Sequence, residues 1–237
     1  MSEPPGRGGT RTADPLLGRL AALDACLVSD ALDWLGLPGS VLGLGPLWPG
    51  ARLAGRAHTV LTGPPPGGHV AAATVATAGP GDVVVIAGGG RLDVSCWGGI
   101  LTAAAVRRGA AGVVIDGAAR DLDEISSQGF PAFARGAVTR TARGRIAQAG
   151  ADQPVDIAGV CVAPGDLVIA DGSGVVFVPA DRGDAVLGIA ERLQAREVRI
   201  LERLRGGEPV TELMSDASLT HGADAADAAD QGDGAGR

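Results

Sequence analysis

Gly112-Val-Val-Ile-Asp-Gly-Ala-Ala-Arg-Asp-Leu-Asp-Glu124 is the stretch on which the reading of this chain turns. Val113 to Ile115 is a short apolar run of the kind that forms a buried strand. A small-residue turn follows and sets Arg120 beside Asp121. A guanidinium and a carboxylate at the mouth of a core strand can hold an anion and a metal ion side by side. The same Arg-Asp-x-x-Glu spacing also describes the solvated first turn of a helix, where acids are favoured in any case. Spacing by itself leaves both readings open.

Composition narrows the choice. The chain has 237 residues, 46% of them hydrophobic, enough for one well-cored domain. No apolar run reaches the ~20 residues needed to span a membrane, and the polar start of the sequence does not read as a secretory signal. The expected organisation is a disordered N-terminus over 1–14, one folded domain over 15–214, and a disordered acidic tail over 215–237. Cys26, Cys96 and Cys161 are few and widely spaced. They fit a reducing, cytoplasmic setting in which each thiol is a small core residue. The three histidines are scattered and give no zinc spacing. The net charge of −7 argues against a nucleic-acid partner. There is no lysine anywhere, which removes Schiff-base and pyridoxal chemistry and the phosphate-binding P-loop. Any carbanion stabilised here has to lean on a metal or on arginine.

Along the chain, residues 15–36 read as helical, with Ser29-Asp30 as a break and N-cap. Pro38 to Pro49 reads as a Gly/Pro loop, Arg56 to Leu61 as a strand, and His69 to Ala78 as a short helix. Pro80-Gly-Asp-Val-Val-Val-Ile86 and Pro164-Gly-Asp-Leu-Val-Ile169 repeat one phrase, a tight turn feeding a core strand. It is read as one turn solution used twice, ahead of an internal duplication. Asp171-Gly-Ser-Gly174 joins the strand 167–170 to Val175–Val178 as a hairpin. Arg182 to Arg205 is the longest predicted helix, with Val186, Ile189, Ala190, Leu193, Ile200 and Leu204 on one stripe. Glu197 falls inside that stripe, where a carboxylate needs a partner. Two readings stand: an ion pair with an arginine, or a face that meets another subunit and carries Glu197 to its site.

Gly88-Gly-Gly90 after a strand suggests a dinucleotide loop, but Asp93 stands where the third glycine belongs and the next helix starts some ten residues too late. Gly98-Gly99 is the better use of glycine. It leaves the amides of Ile100 and Leu101 at a helix N-terminus, where a small anion is favoured; an ordinary glycine-rich helix entry has the same pattern.

At these residues the chain closely resembles the RraA-like family, which includes the 4-hydroxy-4-methyl-2-oxoglutarate / 4-carboxy-4-hydroxy-2-oxoadipate aldolases and the regulators of ribonuclease E. The likeness runs from about Val28 to Leu204. It is carried by Val28-Ser-Asp-Ala-Leu32, Gly55-Arg-Ala-His-Thr59, Trp97-Gly-Gly-Ile-Leu101, Val114-Ile-Asp-Gly117, Arg120-Asp121, Phe130-Pro131 and Gly174-Val-Val-Phe-Val-Pro179. The spacing from Gly99 across twenty residues to Arg120-Asp121, and across two more to Glu124, resembles the aldolase branch. The resemblance implies an α/β fold: a single domain of layered β-sheets flanked by helices, similar to phosphohistidine swivelling domains. It implies homotrimers or homohexamers with sites between subunits.

By that resemblance Asp121 anchors Mg²⁺ or Mn²⁺, with Asp123 and Glu124 acting through water. Arg120 holds a pyruvoyl group, Gly98, Gly99, Ile100 and Leu101 receive its carboxylate, and Glu197 is the acid a neighbour's helix supplies. The implied activity is that of a metal-dependent lyase. It cleaves a 4-hydroxy-2-oxo acid to pyruvate through the enolate and also decarboxylates oxaloacetate. One departure stands out: many aldolases of the family carry an acid where this chain has Gly99. Its loss predicts that decarboxylation outpaces aldol cleavage. The alternative is a non-catalytic regulator that binds a ribonuclease or helicase. Arg56, Arg91 and Arg135 are the arginines considered for a second substrate carboxylate.

Overall fold

The computed structural model describes residues 14–67 and 69–214. Of the segments predicted to be disordered, 1–14 and 215–237, all but Asp14 lie outside the described residues. Asp14 is described: it caps the first helix through Leu16 N–H (3.0 Å) and pairs with Arg56 (2.6 Å).

The helices are α1 (Pro15–Ala21), α2 (Ala25–Trp34), α3 (Ala72–Thr77), α4 (Gly99–Arg108), α5 (Leu122–Ser127), α6 (Gly183–Arg205) and α7 (Val210–Leu213). The strands are β1 (Ser40–Val41), β2 (Gly45–Pro46), β3 (Leu53–Gly63), β4 (Asp82–Trp97), β5 (Gly112–Ala119), β6 (Ala132–Ala137), β7 (Ala147–Ala151), β8 (Val155–Ile157), β9 (Val160–Val162), β10 (Leu167–Asp171) and β11 (Gly174–Val178). One large sheet has the order β1-β11-β10-β3-β4-β5-β6-β2, with β7 added alongside β3. Strands β3 to β6 are parallel, and β10, β11, β1, β2 and β7 pair antiparallel. The pair β8–β9 forms a second, small sheet.

Alternation along the strands sorts the core into layers. Val84, Ile86, Val113 and Ile115 pack with Leu101, Ala105 and Ile125 from α4 and α5. Val83, Val85 and Val114 face the other way, into a cluster closed by Val155, Ile157, Val160 and Val162 of β8 and β9. Leu167, Ile169, Val176 and Val178 pack under α1, α2 and α6. Strands β4 and β5 are covered on both faces, which explains why their sequences are continuous apolar runs rather than alternating ones.

Local details revise several expectations. The break between the first helices is at Asp24, whose Oδ1 accepts from Leu27 N–H (2.8 Å), while Ser29 and Asp30 lie inside α2. Asp171 Oδ2 adds a second acceptor, for Ala25 N–H (2.9 Å). Two acceptors at one helix start outweigh a cap four residues into an apolar face. The 38–49 loop contains the two short strands β1 and β2. The repeated Pro-Gly-Asp phrase is one turn used twice: Asp82 Oδ2 accepts from Gly79 N–H (2.9 Å) and Asp166 Oδ2 from Ala163 N–H (2.8 Å). Gly81 and Gly165 both take positive φ, yet β4 runs parallel to β3 and β10 antiparallel. Of the three cysteines only Cys96 is a core residue, its thiol pushed up to about 11 by burial. Cys26 and Cys161 are exposed.

Candidate functional site

The site is built where β4 and β5 end together. Trp97 pairs with Ala119 in the parallel register, so the next residues, Gly98 and Arg120, are neighbours. Arg120 N–H donates to Trp97 O (3.0 Å), which fixes that juxtaposition. Carboxyl ends of parallel strands are where α/β folds place ligands.

Beneath it, Trp97 anchors the floor. Its ring is stacked on Phe130 (centroids 6.0 Å apart, planes 6° apart) and its Nε1–H donates to Thr102 Oγ1 (2.8 Å). Thr102 Oγ1 in turn donates to Gly98 O (3.2 Å). The start of α4 is therefore tied to the core from below.

Asp121 takes a left-handed backbone, φ 58° and ψ 42°, just before α5, without capping that helix through its side chain. Positive φ at a non-glycine residue carries a cost and marks a position whose side-chain direction matters. The direction it gains is toward α4: Asp121 Oδ2 accepts from Gly99 N–H (3.0 Å) and lies 3.4 Å from Arg120 Nε. Ile100 and Leu101 carry the next first-turn amides, for which the helix itself offers no carbonyl.

The two glycines leave the space in which the Asp121 and Glu124 carboxylates sit. Gly98 has extended backbone, open to any residue, but a Cβ there would lie 2.5 Å from Asp121 Oδ2 and 3.2 Å from Arg120 Cγ. A Cβ at Gly99 would coincide with Glu124 Oε2. The Glu124 carboxylate, reaching across from the first turn of α5, takes the space that a side chain at position 99 would enter. A glycine with an acid twenty-five residues on was the readable signal; the contact itself needed the fold.

Gly98, Gly99, Ile100, Leu101, Arg120, Asp121 and Glu124 come together. Asp123 is exposed on α5, and Glu197 is not brought in by its own chain. Glu197 is exposed on α6, a helix packed on α1 and α2, and has no ion pair among the described residues. The paired acids on that helix are Asp184 (2.8 Å) and Glu191 (2.7 Å), both on Arg19, with Glu191 held below its usual range by that hydrogen bond. Around Glu197, Val198, Leu201 and Leu204 are exposed apolar residues. The arginines considered for a second carboxylate are all engaged: Arg56 with Asp14, Arg91 with Asp93, and Arg135 with the buried Asp116.

The donor set suits a hard divalent ion. Magnesium takes one or two carboxylates and keeps several waters, and Asp121 and Glu124 supply two carboxylates against the two glycines that open the start of α4. No group of three His, Cys, Asp or Glu side chains able to hold a metal gathers among the described residues. Further oxygens therefore have to come from water, substrate or another subunit.

Comparison with known proteins shows the family and the fold. The RraA-like family model, described as Aldolase/RraA, matches residues 25–177. A "Putative 4-hydroxy-4-methyl-2-oxoglutarate aldolase" of Halalkalibacterium halodurans is 34% identical over 71% of this chain and 78% of that protein. Protein DlpA of Legionella pneumophila is 32% identical over 86% of this chain, which spans only 34% of DlpA. The crystal structure of Streptomyces coelicolor RraAS2, described as an unusual member of the RNase ES inhibitor RraA protein family, superposes with a TM-score of 0.73. It is 27% identical and covers 81% of this chain and 98% of RraAS2. The chain belongs to the RraA-like family and has its α/β fold. No helix among the described residues is long and apolar enough to cross a membrane.

Proposed function

We propose that this protein is a divalent-metal-dependent lyase that cleaves a 4-hydroxy-2-oxo acid of the 4-hydroxy-4-methyl-2-oxoglutarate type to pyruvate and also decarboxylates oxaloacetate. The observation that carries the reading is the convergence of Arg120, Asp121 and Glu124 on the glycine-opened start of α4. The α4 amides of Ile100 and Leu101 receive the substrate's C1 carboxylate. Arg120 holds the 2-oxo oxygen as negative charge grows on it in the enolate. Asp121 and Glu124 would hold Mg²⁺ or Mn²⁺, which when bound supplies Lewis-acid charge for that same enolate. The 4-hydroxyl proton has to leave as the C3–C4 bond breaks, and we assign its relay to Glu124, the carboxylate seated against Gly99.

Decarboxylation needs the enolate but no hydroxyl base. Glu124→Gln is therefore expected to lower aldol cleavage about a hundredfold more than oxaloacetate decarboxylation, the modest end of general acid–base effects. Assays of both reactions with the purified protein and Mg²⁺ read this directly; equal losses would remove Glu124 from proton transfer.

Glu197 and its apolar neighbours fit a site completed between copies of this chain, as homotrimers or homohexamers in which Glu197 of one copy approaches Asp121 of the next. Light scattering should give three or six chains, and Leu201→Glu should lower that mass together with activity. A monomer that is fully active would exclude this arrangement. The alternative, a non-catalytic regulator of a ribonuclease or helicase, draws on the likeness to RraAS2. Such a protein would not enolise pyruvate.

A further inference from the structure

Between Glu124 and Asp152 the chain has no acidic residue but four arginines, in a protein of net charge −7. This basic arc runs past the site. Val138 N–H donates to Ala119 O (2.9 Å), one residue before Arg120, and Ser95 N–H donates to Arg140 O (2.9 Å), two residues before Trp97. Ser95 and Thr141 form an isolated parallel bridge. With strands about 4.8 Å apart and a rise of about 3.3 Å per residue, the Arg140 main chain lies roughly 11 Å from Gly98. An arginine side chain and a five-carbon dianion together cover that span.

The arc is firmly seated. Ala142 and Ile146 are buried in the same cluster as Trp97 and Leu101. Arg145 and Ile146 N–H both donate to Ala142 O (2.8 and 3.1 Å), and the Arg145 guanidinium closes the turn onto Thr141 O (3.2 Å) and Arg143 O (3.3 Å). Arg135 is taken up by Asp116. Arg140 and Arg143 are exposed, with no side-chain hydrogen bond or ion pair among the described residues. Asp93, the carboxylate on which the charge of Arg140 acts, is already gripped by Arg91 through two bonds of 2.9 Å. Two exposed guanidinia without a hydrogen-bonded carboxylate, on a turn seated in the same core cluster as Trp97, are suited to a second carboxylate.

We infer that Arg140 and Arg143 form a second anion subsite, which receives the far carboxylate of a dicarboxylic 2-oxo acid whose other end is held by Arg120 and the α4 amides. This rests on the lyase reading and names the residues that would select dianionic over monoanionic substrates. Arg56, Arg91 and Arg135 are excluded from that role by their own partners.

The test compares two inhibitors of Mg²⁺-dependent pyruvate proton exchange. 2-Oxoglutarate and 2-oxopentanoate share the 2-oxo acid head and the chain length and differ in the far carboxylate. The wild type should bind 2-oxoglutarate about tenfold more tightly, the scale of one charged hydrogen bond at a partly solvated site. Arg140→Ala combined with Arg143→Ala should reduce that preference to within about twofold, and Arg140→Lys should keep most of it. Equal inhibition of the wild type, or a preference that survives the double substitution, overturns the subsite while leaving the lyase reading intact. A wild type that does not exchange pyruvate protons overturns both.

Discussion

Replacing Asp121 by asparagine is expected to lower Mg²⁺-dependent turnover by about 10²- to 10³-fold, because the metal's contribution is worth several kcal/mol. The fold should hardly notice. Asparagine is among the residues that tolerate the left-handed backbone that Asp121 occupies. Its side-chain oxygen can still accept from Gly99 N–H, the bond that Asp121 makes at 3.0 Å. What disappears is the negative charge beside Arg120. Melting temperature should stay within about 2 °C of the wild type, the range of a neutral surface change, while the metal dependence of activity is lost. A variant of full activity would mean that Asp121 is a structural cap on α4.

Trp97→Ala should have the largest effect on stability. The ring is 2% exposed and stacked on Phe130, and its N–H is bonded to Thr102. Truncating a buried aromatic of this kind costs about 3–5 kcal/mol, or roughly 6–20 °C in a domain of this size. Trp97 also accepts the Arg120 amide and precedes Gly98, so whatever folds should show loosened substrate binding as well. Trp97→Phe keeps the stacking and should lose much less. Thermal and urea unfolding of both variants measure this; a loss below about 1 kcal/mol for Trp97→Ala would show that the cavity collapses at little cost.

Much of the fold was legible because its core strands are apolar runs bounded by turn residues. Val113 to Ile115 announced β5, although Gly117-Ala118-Ala119, with no side chain larger than a methyl, gave no sign that the strand continues to the site. Gly88-Gly-Gly90 looked like a strand end, yet β4 passes through a bulge there and resumes its pairing at Arg91, Ser95 and Trp97. The helix break was misplaced because Asp24 and Asp30 are equally good caps in sequence; burial of Leu23 and the acceptor from Asp171 decide between them.

At the site, the Arg-Asp pair and the glycines could be named from spacing and resemblance. The seat of Glu124 at Gly99 could not, since it depends on how α5 leaves β5. The availability of Arg140 and Arg143 was equally hidden. It appears only after Asp14, Asp93 and Asp116 are seen to take up Arg56, Arg91 and Arg135. The role proposed for Glu197 requires a second copy of the chain.

The most direct test of the central claim is exchange of pyruvate methyl protons for deuterium, followed by proton NMR in D₂O with and without Mg²⁺. It isolates enolate formation from the choice of aldol substrate. The account predicts exchange that requires both the protein and the metal and that is lost in Asp121→Asn. No exchange above the buffer rate with Mg²⁺ present, or exchange that continues at the wild-type rate in Asp121→Asn, would contradict it.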